Sequence, residues 1–203
     1  MPKETFYNLS DVKKNKILDA AIDEFAENDY HQANVTGVIE KSGIASGSFY
    51  QYFDGKKDLY KYLIGIILKR KLKYLNKEVM NSPEQLNFFD LLRQLYKGGI
   101  QFAEENPRLV AIGNNFINSK SKVCIDIREK QKPMSNQYFE KLIKYAIKKG
   151  DVKKDIDPAF TAKFLTSVNY ALSDFIYAEE GLKENTMVII DDLINIIESG
   201  LKK

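Results

Sequence analysis

Every long segment of this chain carries its apolar residues at a helical period, and none alternates apolar and polar residues as a half-buried strand does. Ile17, Ala21, Ile22 and Phe25 form one stripe, opened by Ser10 at the cap position and closed near Asn28. A long helix is predicted from about Lys56 to Met80, presenting Leu59, Leu63, Ile66, Ile67, Tyr74 and Leu75. Ser82-Pro83 has the cap-and-first-turn pattern that opens another, running to about Glu105, and Asn106-Pro107 restarts the chain into a shorter helix ending near Asn118. Residues 120–149 read as helical with a kink or break at Pro133. Gly150 ends that segment, Pro158 starts a helix to about Glu180, and a last one runs near Glu184–Leu201. The expected fold class is all-α with about nine helices. An N-terminal three-helix bundle and a larger C-terminal bundle would share the helix that begins at Lys56.

Residues 34–59 read as two short helices joined by a tight turn at Gly43, then an aromatic cluster and a third helix that opens with lysines. Val35, Val38, Ile39, Ile44, Phe49 and Phe53 would face one small core. Thr36, Ser46, Ser48, Tyr50, Gln51, Tyr52 and Lys56 would point outward, nearly all of them donors that suit phosphate oxygens and base edges. That is the layout of a helix-turn-helix, whose second helix lies in the major groove of DNA. Tyr50 and Tyr52 also suit a core, as aromatic residues at helical spacing commonly do. Yet a helix that buries Phe49 and Phe53 four apart turns Tyr50 and Gln51 toward another face.

The run GIASGSFYQYFDGKKDL, residues 43–59, resembles the signature of the tetracycline-repressor (TetR) family of bacterial transcriptional regulators. The upstream run ILDAAIDEFAEN, residues 17–28, resembles that family's first helix, with Ala21 and Phe25 at its packing positions. These motifs cover about the first third of the chain. The resemblance implies a helix-turn-helix DNA-binding domain over 1–60 and an effector-binding and dimerisation domain over 61–203. It also implies that Tyr50 contacts phosphate, that Lys56 supplies charge, and that Thr36 and Ser48 donate hydroxyls. Ser46, Gly47 and Gln51 are the candidates for base edges; glutamine can pair bidentately with adenine, although a solvated glutamine that reads nothing stays open. Two positions depart from the family pattern. Ile39 stands where alanine is usual at the close helix crossing, and Ala45 stands where a serine or threonine often caps, so that cap is either lost or taken over by Ser46.

Global charge does not by itself point to DNA. Residues 1–60 carry a net charge of −3, and the excess of cations lies in 61–203. The acids cluster on the first long helix, however, and none occurs from Ser42 to Phe53, and it is the local sign that phosphate senses. No apolar run approaches the length of a membrane span, and the N-terminal fifteen residues are polar, so no membrane partner is expected. The single Cys124 allows no intrachain disulfide and suits a reducing cytoplasm.

An enzyme is hard to build from these residues. His31 is the one histidine and falls in the turn between the first two long helices. Asp151, Asp155 and Asp157 lack the glycine and terminal glutamate of a calcium loop, and no His/Cys cluster exists to hold zinc. Gly98-Gly99 lies mid-helix without the context of a phosphate loop. No catalytic residue, metal or cofactor is expected.

The C-terminal region is rich in rings. Phe88, Tyr96, Phe102, Phe116, Tyr138 and Tyr170 are the candidates to line an effector pocket among the helices, and a packed core is the competing reading for each. Arg70, Arg93, Arg108 and Arg128 sit in polar neighbourhoods that look solvated, which argues for an apolar, aromatic or acyl-bearing effector. Phe164, Val168, Leu172, Phe175, Leu193 and Ile197 are the candidates for a four-helix homodimer interface, against the alternative of packing within one chain. The expected protein is a homodimeric repressor that binds a near-palindromic operator in double-stranded DNA and is released by a small apolar effector. A ligand-independent or activating member of the family, and a helical enzyme without a recognisable constellation, are the alternatives.

Overall fold

The computed structural model describes residues 1–80, 86–177 and 185–203. Among them stand ten helices: α1 (Glu4–Tyr7), α2 (Asp11–Glu27), α3 (Val35–Ser42), α4 (Ser46–Tyr52), α5 (Lys56–Met80), α6 (Phe88–Glu105), α7 (Pro107–Asn118), α8 (Lys122–Lys149), α9 (Pro158–Tyr177) and α10 (Thr186–Leu201). The fold is all-α, as the period predicts. Helix α1 is the addition: Phe6 and Tyr7 are two aromatics in a polar run, too few to make a stripe. Ser82-Pro83, expected to open the next helix, lies outside the described residues. Within them that helix is α6, with Asn87 Oδ1 accepting from the N–H groups of Phe89 and Asp90 at 3.0 and 2.9 Å.

Pro133 does not break its segment, because α8 is continuous through it. Proline costs the helix one bond to the carbonyl four residues back. Glu129 and Pro133 are both exposed, so water can serve that carbonyl. No helix among the described residues is long and apolar enough to cross a membrane.

The chain forms two compact units, 1–70 with 106–128, and 71–105 with 129–203. In the first, α2 packs on α3 and α7. Its stripe is buried as expected, with Ile17 and Ala21 wholly inaccessible and the Phe25 ring 4.8 Å from that of Tyr60. Leu109, Ile112 and Phe116 of α7 complete this core, and Arg108 pairs with Asp23 across it. In the second unit Phe88, Leu92 and Leu95 of α6 meet Ile143 of α8, Leu165 of α9, and Ile190 and Ile194 of α10. Arg93 joins α6 to α10 through Asp191 at 3.3 Å, Asn195 at 3.1 Å and Glu198 at 3.6 Å.

The last carbonyls of a helix lack intrahelical donors and attract cations. Helices α4, α7 and α10 have no basic residue in their own last turns, and each borrows donors from elsewhere in its unit. For α7 the donor is Arg128, which bonds the carbonyls of Phe116 and Ser119 and lies 5.7 Å from the Phe116 ring centre. Half-buried in this way, Arg128 is not the solvated side chain its neighbours suggest. For α10 it is Lys153, whose backbone N–H reaches the Leu201 carbonyl at 2.9 Å while its ammonium reaches that of Gly200 at 3.0 Å.

Candidate nucleic-acid interface

Helix α3 starts at Asn34, whose Oδ1 accepts from the Gly37 N–H at 2.8 Å, and stops at Gly43, whose φ of 68° is left-handed and favours glycine. Helix α4 begins with Ala45 at its cap position and no side-chain cap bond, so the cap that Ala45 lacks is lost, and Ser46 does not replace it. Val38, Phe49 and Phe53 are fully buried beneath the pair, and Val35, Ile39 and Ile44 half-buried around them. At Gly37 of α3 the buried Glu24 carboxylate of α2 lies close enough to fill the space a Cβ would take. Glu24 accepts from the Asn34 N–H at 3.0 Å and stands 3.7 Å from the Lys41 ammonium.

With Phe49 and Phe53 turned inward, Thr36, Ser46, Gly47, Tyr50 and Gln51 are exposed, and Tyr50 keeps 54% of its surface open. Ser48, Tyr52 and Lys56 are half-buried. The Tyr52 ring lies edge-on to Phe6 with centroids 6.2 Å apart. Lys56 is a strut: its ammonium donates to the carbonyls of Ala33 at 2.8 Å and His31 at 3.2 Å and stands 4.8 Å from the Tyr30 ring centre. It ties the start of α5 to the loop before α3, leaving one N–H for any other acceptor. Asp29 in that loop accepts from the N–H groups of Gln32 and His31, and the Gln32 bond foremost holds its carboxyl below the usual range. Lys41 is held by Glu27 at 2.8 Å, a bond that raises its pKa.

The end of α4 carries contacts that the reading of 34–59 missed. The Lys3 N–H donates to the Tyr52 carbonyl at 2.9 Å, the Lys3 ammonium to that of Tyr50 at 2.9 Å, and the Thr5 hydroxyl to that of Gln51. Lys3 also pairs with Asp54 at 2.9 Å, the first cause of a carboxyl pKa below the ordinary aspartate value. Phe6 anchors the arm, 1% exposed, its ring 4.9 Å from Phe53 and 5.5 Å from Tyr62.

The family model for bacterial regulatory proteins of the tetR family matches residues 17–63, which span α2 to the first turns of α5. A crystal structure of a TetR family transcriptional regulator from Chloroflexus aurantiacus J-10-FL is 31% identical, covering 100% of this chain and 99% of that one, with a TM-score of 0.71. The chain belongs to the TetR family. As a member it is a helix-turn-helix DNA-binding transcriptional regulator and not an enzyme. Among more distant relatives, the fatty acid metabolism regulator protein of Bacillus subtilis (strain 168) is 18% identical over 193 residues, 93% of this chain and 95% of that protein. The structure of the transcriptional regulator FadR from Bacillus subtilis in complex with stearoyl-CoA is 17% identical, covers 92% of this chain and 98% of that one, and superposes with a TM-score of 0.74. At that identity the likeness is one of fold.

The remaining candidates fall in different places. Phe116 belongs to the first compact unit, 6% exposed, its ring 6.3 Å from Tyr60. Phe88, Tyr96, Phe102, Tyr138 and Tyr170 belong to the second. Phe88 and Phe102 are buried, edge-on to Phe89 at 5.4 Å and to Tyr74 at 5.4 Å. Tyr96 and Tyr170 are half-buried and Tyr138 is 37% exposed. Burial pushes the Tyr96 hydroxyl up to about 12 and raises that of Tyr138. Of the interface candidates, Phe164 is exposed, and Val168 and Leu193 are half-buried. The Phe175 side chain lies outside the described residues. Leu172 and Ile197 sit in the second unit's own core, 8% and 5% exposed, so they pack within the chain. Among the described residues, the large apolar side chains left outward on α9 and α10 are Phe160, Phe164, Met187, Val188, Ile189 and Ile196.

Proposed function

We propose that this regulator is a homodimeric repressor whose two copies of α4 enter successive major grooves of a near-palindromic operator, and which releases DNA when an acyl-bearing effector binds. The observation that carries the DNA half is the exposed, acid-free face of Ser46, Gly47, Tyr50 and Gln51 on α4, with Thr36 beside it on α3. Such a face can approach phosphates without repulsion and carries donors for base edges. Tyr50 and Thr36 act as phosphate ligands, Gln51 and Ser46 as base readers. Lys56 contributes mainly by holding the loop before α3.

Dimerisation is supported by the outward apolar row on α9 and α10, where Phe160, Phe164 and Ile196 are each more than half exposed. Two-fold pairing of that row would bury it and set the spacing of the recognition helices at one helical turn of DNA, about 34 Å. In this reading residues 1–60 read DNA, while 61–203 dimerise and sense the effector. The fold shared with a FadR that binds stearoyl-CoA supports an acyl chain as ligand, and Tyr96, Tyr138 and Tyr170 remain the ring residues with open surface to meet it. Ligand would act by favouring a conformation whose recognition helices are mis-spaced, and its differential affinity for that state sets the loss of DNA binding.

The test is to select duplexes from a random pool with the purified protein, then to titrate acyl-CoAs and fatty acids of graded length into the complex. A ligand at a hundredfold its dissociation constant adds about 2.7 kcal/mol to stability. One chain length should both raise the melting temperature and release the selected duplex. Equal affinity for selected and random duplexes would overturn the reading.

A further inference from the structure

We propose that Lys3 and Thr5 are positioning residues for DNA recognition, an external cap that fixes the C-terminal end of α4; the inference rests on the operator-binding reading above. A seven-residue helix cannot hold itself, since isolated helices under roughly 12–15 residues are marginal in water. Helix α4 also lacks a side-chain N-cap and any basic residue in its last turn. What it has instead is the arm. Three consecutive carbonyls, of Tyr50, Gln51 and Tyr52, accept from the Lys3 ammonium, the Thr5 hydroxyl and the Lys3 N–H. Tyr50 and Gln51 belong to the proposed reading face and Tyr52 follows them directly, so the arm grips the backbone of that face from behind.

The Lys3 ammonium is at the surface but is engaged by groups of its own chain. Asp54 at 2.9 Å and the Tyr50 carbonyl take two of its three donors, and the buried Phe6 ring holds the arm in place. An arm that bound phosphate would leave its cation free, whereas an arm that caps needs it where it is. The arm therefore governs how well α4 is held and adds no phosphate contact of its own.

The experiment compares the full-length chain with Lys3→Pro and Thr5→Val on the duplex selected by the parent protein and on a random duplex, across salt concentrations and well below each melting midpoint. Proline suits the Lys3 φ of −73° while removing both of its donors. Net hydrogen-bond worth predicts about fivefold weaker binding to the selected duplex for Thr5→Val and more than about tenfold for Lys3→Pro. Binding to the random duplex should fall less than binding to the selected one, since there only the phosphate contact of Tyr50 is loosened, and the slope of log K against log salt should not change. Should Lys3→Pro fail to fold, Thr5→Val, which loses only a hydroxyl, carries the test. Parent-like binding by the folded variants, or equal losses on both duplexes, overturns the proposal. So does a slope reduced by about one in Lys3→Pro, which would mark Lys3 as a phosphate ligand. If the parent protein selects no duplex, the operator-binding reading itself has failed, a result distinct from all of these.

Discussion

Gly37 sits so close to Glu24 that a Cβ at that position would stand 2.4 Å from the Glu24 Oε2. In an ordinary helix, Gly→Ala gains about 1 kcal/mol. Here the methyl must displace a carboxylate that is 4% exposed and bonded to the Asn34 N–H. Gly37→Ala should therefore destabilise the protein by roughly 1–3 kcal/mol, the cost of disturbing a buried polar group. Urea melts of Gly37→Ala, Glu24→Ala and the double variant check this, because the double variant should be less unstable than the two losses added together.

Tyr50 and Gln51 are neighbours on α4 with different expected signatures. Tyr50→Ala should weaken binding to selected and random duplexes alike, as loss of a phosphate ligand does. Gln51→Ala should relax preference at one base pair by ~1–3 kcal/mol. Titrations against a set of single-base operator variants would separate the two. A flat profile for Gln51→Ala would mean that the glutamine reads nothing.

Asp54 should titrate below the ordinary aspartate pKa, since the hydrogen bond and charge of Lys3 favour its ionised form. The sign of the linkage follows from that depression. Whatever the pair contributes to stability is present above the unfolded-state pKa and is lost as pH falls through the lower folded-state value. Carboxyl chemical shifts followed by NMR should show the depressed midpoint, and Lys3→Pro should return it toward the ordinary value.

Phe164 and Leu172 lie eight residues apart on α9 yet should respond oppositely to charge. Phe164 is 52% exposed, so Phe164→Glu should leave a folded chain that sediments at the mass of one protomer if α9 pairs with its mate. Leu172 is in the core, so Leu172→Glu should cost at least the ~2–5 kcal/mol of a lost core leucine and yield unfolded or insoluble protein. A parent protein that is already monomeric at micromolar concentration would remove the basis for the first expectation.

The contrast at Phe164 and Leu172 also shows what periodicity can and cannot reveal. Helical spacing marks a residue as apolar-facing, but burial inside one chain and burial against a second produce the same pattern, so Leu172 and Ile197 read like Phe164. The helix-turn-helix was legible because Gly43 needs a left-handed turn and Phe49 and Phe53 fix which side of a short helix faces inward. Pro133 misled because its cost depends on whether water can reach the stranded carbonyl, which a sequence does not display. The arm at Lys3 and Thr5 was illegible for a related reason. Its bonds go to backbone oxygens about 46 residues away, and backbone acceptors have no letter in the sequence.

Because α4 is closed from behind by Lys3 and Thr5, the segment that touches DNA is not portable. A peptide or chimaera carrying only residues 43–59 would take the reading side chains but leave behind the donors that its last three carbonyls require. Transplanting this protein's DNA preference onto another scaffold calls for two discontinuous pieces of chain moved together, the arm through Phe6 and the stretch from α2 to the start of α5. Conversely, two relatives that share every residue of α4 but differ in the arm need not share an operator.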